Sequence, residues 1–288
     1  MSIERLVSRQ NSDGGWPYHR GASWTEPTAY AVMALVAAGH SDAASSGLAW
    51  LAARQRRDGG WAPQAGVDES TWVTGLIALL PARGALSPAA HDAAIAWLMG
   101  IAGHESSLEY RVREWLLGNP IPADQQLVGW PWIPGAAAWV GPTSIALLAL
   151  DQEQRREPSR AMRKRIDEGR RFLLGRMCQG GGWNHGSARP LGYESEPYPE
   201  TTGMALAALR GIRSRKIDQS LGVARQFLAR CRSADAMNWL RLGLLAHGEL
   251  PQGFCRPADL ACRTVPELAL DLLLAQGTAG RRFFWEEA

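Results

Sequence analysis

The stretch Val67-Asp68-Glu69-Ser70-Thr71 places two adjacent carboxylates at the head of an apolar run. A carboxyl group there can act as a general acid if it holds its proton near neutrality. That requires desolvation or a second carboxylate close by, and Glu69 would be that neighbour for Asp68. The plainer role for Asp68 is an N-cap, accepting hydrogen bonds from the first amides of the helix that follows. Glu26-Pro-Thr28 and Glu200-Thr-Thr202 open two further apolar runs, and Glu69-Ser-Thr71 reads as the same pattern. A Glu recurring at helix starts is also favoured by the helix dipole alone. His19 and His185 follow Trp16 and Trp183 within three residues, as Gln64 follows Trp61. Trp24, Trp72, Trp132, Trp139, Tyr193 and Tyr198 lie in the same loops. Carboxylates and imidazoles ringed by aromatics suit two chemistries. One is an isoprenoid, whose developing carbocation is stabilised by π faces. The other is a sugar held between paired acids.

These residues hang on a repeat. Gln10-Asn-Ser-Asp13-Gly-Gly-Trp16 returns as Gln55-Arg-Arg-Asp58-Gly-Gly-Trp61. Val128-Gly129-Trp130 is a worn copy, and Gln179-Gly-Gly-Gly-Trp183 has lost its Asp. Each Trp is followed by a loop and then an Ala/Leu-dense run that is apolar nearly all round, as a buried helix must be. Each is preceded by an amphipathic run, such as Ser41 to Gln55, Ser87 to Gly100 or Met162 to Cys178, that belongs on the outside. The glycines let an outer helix stop and reverse, and the Trp buries against the next helix pair. The Gln-x-x-Asp-Gly-Gly-Trp motif is therefore read as a joint. Two degenerate pairs follow, from Ser220 to His247 and through Thr264-Val-Pro-Glu, for about six pairs in all. His104 to Asp124 interrupts the period and contains a further helix around Glu109-Tyr-Arg-Val-Arg-Glu-Trp-Leu-Leu.

The bulk composition excludes several classes. The chain has 288 residues, 46% hydrophobic and 20% charged, with a net charge of +3. That balance gives no reason to expect a nucleic-acid partner. No apolar run is long enough to cross a bilayer. The four cysteines form no dense framework and read as reduced thiols in a cytoplasmic protein. No compact zinc spacing, phosphate-binding loop or nucleophile elbow is present, so neither a metal nor a cofactor is expected. The basic run Arg155 to Arg171 reads as a solvated helix face or as a peripheral contact with an anionic membrane.

The two joints and the runs after them, Thr28-Ala-Tyr-Ala-Val-Met-Ala-Leu and Gln55 to Leu79, resemble the QW-type repeats of the prenyltransferase and squalene-cyclase superfamily. The resemblance is good over about Leu6 to Gly211 and looser beyond. It implies an all-α (α/α)6 toroid, agreeing with the helix count, here as one domain over residues 1–288 with a helical insertion at about 104–125. Class II terpene cyclases of that superfamily protonate their substrate with the middle Asp of Asp-x-Asp-Asp. Gly66-Val67-Asp68-Glu69 matches this with Asp68 on the acid and Glu69 on the last Asp, but with Gly66 in place of the first carboxylate. The leading expectation is a cyclase-like domain for a hydrophobic isoprenoid, with Asp68 and Glu69 at the reacting end and Trp24, Glu26, Trp72, His19, His185, Tyr198 and Glu200 around the substrate. A hydrolase or lyase acting on a carbohydrate or peptide at the rim is the alternative. A non-catalytic binding module is the third.

Overall fold

The computed structural model describes residues 2–80, 86–117, 127–187 and 193–285. In chain order its helices are α1 (Ser2–Val7), α2 (Thr25–Ala37), α3 (Ser41–Ala52), α4 (Val73–Ala78), α5 (Pro88–Gly100), α6 (Leu108–Leu116) and α7 (Val140–Arg156). They continue with α8 (Arg160–Gly175), α9 (Pro199–Ala208), α10 (Arg215–Arg230), α11 (Ala234–Ala246), α12 (Val265–Ala275) and α13 (Thr278–Arg281). A short 3-10 turn, His104–Ser106, precedes α6. Among the described residues there is no strand, only isolated bridges in the loops. The chain divides into two compact units, Met1–Met99 with Pro257–Ala288, and Gly100–Arg256.

Burial separates two kinds of helix. In the second unit α9 buries eight of its ten residues, whereas α10 buries a single stripe, Ile217, Ser220, Leu221, Ala224 and Leu228, at helical spacing. By the same criterion α7 and α11 are core helices there, and α2, α4 and α12 are core helices of the first unit. In the first unit α12 packs on α2 and α1, so the last repeat returns to the first. A Thr264–Glu267 capping box starts α12 after the degenerate Pro257–Cys262 stretch.

All four joints share one bond, and the first two share the rest. The backbone amides of Trp16, Trp61 and Trp130 each donate to a threonine hydroxyl, Thr28, Thr74 and Thr143, at 2.9 Å, and Trp183 donates to Thr202 at 3.1 Å. The four rings are buried, and the indole N–H of Trp16, Trp61 and Trp183 donates to the carbonyls of Leu6, Leu51 and Leu173. Gln10 donates to Gly14 and Ala43, Gln55 to Gly59 and Ala90. Asp13 takes the Gly15 amide and Ser23 hydroxyl, as Asp58 takes Gly60 and Ser70. Gly59 sits at φ +89°, where a side chain is strained, and a Cβ there would lie 2.5 Å from the Ala93 carbonyl oxygen. In the worn third joint, buried Arg165 stacks 3.3 Å over the Trp130 ring and donates to Ile101 and Gly129. One cation of the basic run is thus built into this joint, while Arg160, Arg163, Lys164 and Arg171 are exposed.

The hydrogen bonds correct one register. Thr74, not Thr71, is the counterpart of Thr28. Thr71 instead donates its amide to Trp61, as Trp24 does to Trp16, Trp139 to Trp130 and Tyr198 to Trp183. Glu69 precedes this bridging residue, whereas Glu26 and Glu200 follow theirs by two. Glu69 is therefore not the second repeat's copy of Glu26. Within the expected insertion His104–Ser106 is a 3-10 turn and Leu108–Leu116 is α6, and 118–125 lies outside the described residues.

Candidate functional site

In the first unit the start of α2 gathers an aromatic and acidic group. Trp24 is its extended N-cap residue, bridged to Trp16 on one side and Gln64 on the other. Thr25 donates its amide to Pro63 and its hydroxyl to Ala62, stitching the helix start to the second joint's loop. Tyr18 donates a short hydrogen bond to Glu26 and meets Trp24 edge-on, with ring centroids 5.6 Å apart at 63°. Burial, then the adjacent Glu26 charge, pushes the Tyr18 hydroxyl well above its ordinary range, so it stays a donor. Tyr18 was missed in the sequence reading, although it stands two residues after its joint Trp, as His185 does.

The other first-unit candidates are dispersed. Trp72 is half-buried at the N-cap of α4, and His19 is exposed. Asp68 and Glu69 are exposed. The Asp68 side chain is wholly accessible and ion-pairs with Arg56 at 2.9 Å, while Arg56 also donates to the Asp68 carbonyl. Asp68 does not cap α4, which begins at Val73 with no side-chain cap. The desolvation that a proton-holding acid requires is absent around it.

In the second unit His185, Tyr198 and Glu200 do come together. The His185 Nε2 lies 3.3 Å from Glu200 Oε1, and its ring lies 5.0 Å from that of Tyr198, the N-cap residue of α9. Val140, at the start of α7, donates its amide to the His185 carbonyl. His185 with Glu200 is thus the positional equivalent of Tyr18 with Glu26. At the third joint Gly141 replaces the Glu and the Trp132 ring lies against it. Tyr193 is exposed, and residues 188–192 of its loop lie outside the described residues.

A cavity of about 340 Å³ opens beside this loop. Trp139, His104 and Tyr110 line it with Ala137, Ala138, Gly186 and Ser187, and Glu105 and Arg176 stand buried in its wall. No spacing in the sequence marks Glu105 or Arg176, which lie 71 residues apart. Among the described residues no three His, Cys, Asp or Glu side chains converge as a metal site would require. The four cysteines are free thiols, and burial pushes those of Cys178 and Cys231 up.

The fold defines the class: an all-α chain of the α/α-toroid type, with buried and outer helices alternating across repeated joints. The family profile of the squalene-hopene cyclase C-terminal domain matches residues 1–75, which hold both intact joints. The type II terpene cyclase MstE from Scytonema superposes with a TM-score of 0.57 at 18% identity, over 93% of this chain and 75% of that one. A structure of a variant of that enzyme in complex with geranylgeranyl dihydroxybenzoate gives 0.53 at 17% identity, over 81% of this chain, which spans only 62% of its length. The endo-β-1,4-glucanase CMCax from Acetobacter xylinum gives 0.58 at 13% identity, over 96% and 97%. Among the curated proteins none matches the sequence. Identities this low establish a shared fold.

Proposed function

We propose that the chain is a cyclase-like domain that holds an isoprenoid-type ligand against the aromatic starts of its buried helices. The observation that carries this reading is the cyclase-domain match over residues 1–75, the segment containing Tyr18, Trp24, Glu26 and Trp72. Tyr18 and Trp24 offer π faces, and an ionised Glu26 beside them favours positive charge developing on a bound hydrocarbon. Binding rests on these residues. Class II protonation would fall to Asp68, with Glu69 beside it, and would require Asp68 to leave Arg56 and lose its water. Calorimetric titration with geranylgeraniol tests the reading. We expect saturable binding that Trp24→Ala weakens at least about tenfold, the cost of losing a large aromatic contact. Asp68→Asn is expected to leave both affinity and melting temperature unchanged, because an exposed ion pair contributes little. Absence of binding by the unsubstituted protein would sink the proposal. Turnover that Asp68→Asn abolishes would identify Asp68 as the acid after all.

The second reading, hydrolysis of a carbohydrate or peptide, is favoured by His185 paired with Glu200 beside exposed Tyr198. Release of reducing ends from a β-1,4-glucan, lost in Glu200→Gln, would replace the first reading with this one.

No helix among the described residues is long and apolar enough to cross a membrane. Peripheral contact is a different matter. On and just after α6, Val112, Trp115, Leu116 and Leu117 are exposed, Trp115 by 76%. In the same unit α8 presents exposed Arg160, Arg163, Lys164 and Arg171. A Trp/Leu face with basic residues suits an anionic lipid interface. The chain is expected to sediment with phosphatidylserine vesicles, and Trp115→Ser with Leu116→Ser to reduce the bound fraction several-fold. Equal sedimentation of both proteins would remove α6 from the contact.

A further inference from the structure

The cavity of the second unit has a polar wall that no cyclase or hydrolase role uses. Glu105 and Arg176 are exposed by only 7% and 5%. Both carboxylate oxygens of Glu105 share a single backbone donor, the Ala138 amide, at 2.9 and 3.2 Å. The Arg176 guanidinium approaches Glu105 to 4.0 Å, an ion pair too long for a hydrogen bond. A carboxylate has about four acceptor positions, so Glu105 retains capacity that only a further donor fills. The backbone sets this geometry: Gly103 and His104 donate their amides to Gly129 and Ala136, fixing the His104–Ser106 turn along the third joint's loop.

Three features define what fits. An anionic head would sit against the Glu105 carboxylate and a cation against Arg176, each disfavoured in a buried site. A hydroxyl meets both at once, donating to Glu105 and accepting from Arg176. The remaining walls are Trp139, the edge-to-face pair His104 and Tyr110 at 5.4 Å, and the methyls of Ala137 and Ala138. Such walls stack on the apolar face of a ring. The volume lies within the range of small-molecule sites. We propose that this cavity binds a neutral hydroxylated ring, with a ligand hydroxyl bridging Glu105 and Arg176 and the ring face on Trp139. The inference stands apart from the isoprenoid reading, which rests on the first unit.

A sugar and a phenol share this chemistry, and the probes separate them. Saturation-transfer NMR and calorimetry would be run with cellobiose, catechol and inorganic pyrophosphate on the whole chain. Binding of cellobiose or catechol, and not of pyrophosphate, is expected, and whichever binds names the source. Glu105→Gln should weaken it at least tenfold, since the acceptor loses its charge and half of its acceptor atoms become donors. Should that variant fail to fold, Trp139→Ala, at a site 37% exposed, must show the same tenfold loss with an unchanged melting curve. Neither neutral probe binding at millimolar concentration, pyrophosphate binding more tightly than both, or wild-type affinity in the informative variant would each overturn the proposal.

Discussion

Gly203→Ala is expected to abolish or sharply lower the cooperative melting of the second unit. A Cβ at Gly203 would lie 2.3 Å from the carbonyl carbon of Trp239, 2.4 Å from its oxygen and 2.5 Å from the amide nitrogen of Leu240. All three are backbone atoms of α11, so no rotamer change relieves the clash, and α9 and α11 must move apart. From the other side, a Cβ at Gly243 would stand 2.6 Å from the Gly203 carbonyl oxygen. Overpacking a well-filled core costs about 1–3 kcal/mol where side chains can yield, and more here. A domain is stable by only about 5–15 kcal/mol. The sign is diagnostic, because helix propensity alone favours Ala over Gly by about 1 kcal/mol. Thermal denaturation followed by circular dichroism should therefore show a fall of about 10 °C or loss of the transition. A rise would mean that the two helices are not in backbone contact.

Trp61→Ala should be nearly as damaging, through a void. The indole is fully buried, its N–H donates to the Leu51 carbonyl at 2.8 Å, and its backbone is fixed by Thr74 and Thr71. Truncating a buried aromatic costs about 3–5 kcal/mol. Trp61→Phe retains much of the ring and leaves the Leu51 carbonyl without its indole donor, for about 1–3 kcal/mol. Urea titration should order the midpoints as wild type, Trp61→Phe, then Trp61→Ala. By contrast Trp139→Ala, at a half-exposed helix start, should leave the midpoint near wild type. Equal losses at Trp61 and Trp139 would dissolve the distinction between joint and rim tryptophans.

That distinction was largely readable in advance. The joints were legible because Gln, Asp, Gly-Gly and Trp each satisfy a fixed backbone need, and such needs recur with the turn. The buried helices were legible from Ala/Leu density, and their all-α arrangement followed. The rim was only partly legible. Glu69 aligned by eye with Glu26 because Glu-Ser-Thr mimics Glu-Pro-Thr, but α4 starts later, and the hydroxyl that holds Trp61 belongs to Thr74. Asp68 looked poised because it is acidic and precedes a helix; its pairing with Arg56 depends on where the chain bends after Gly59. His185 and Glu200, 15 residues apart, lie within 3.3 Å of each other. Glu105 and Arg176 did not announce themselves, since one sits in the inserted turn and the other ends α8, and only packing brings them to one cavity.

The seam between neighbouring repeats has a further consequence. Val265 donates its amide to Tyr18, Thr25 to Pro63 and Val140 to His185, each at 2.9 Å and each to the residue two past a joint tryptophan. Every contact is amide to carbonyl, and every amino acid carries that carbonyl, proline included. The side chain at this place is therefore mechanically uncommitted, and it is tyrosine, proline and histidine in the three cases. The seam is held through the main chain, and the side group beside it is interchangeable. A substitution at this place can change what the loop presents while the bond that ties it to the next repeat stays in place.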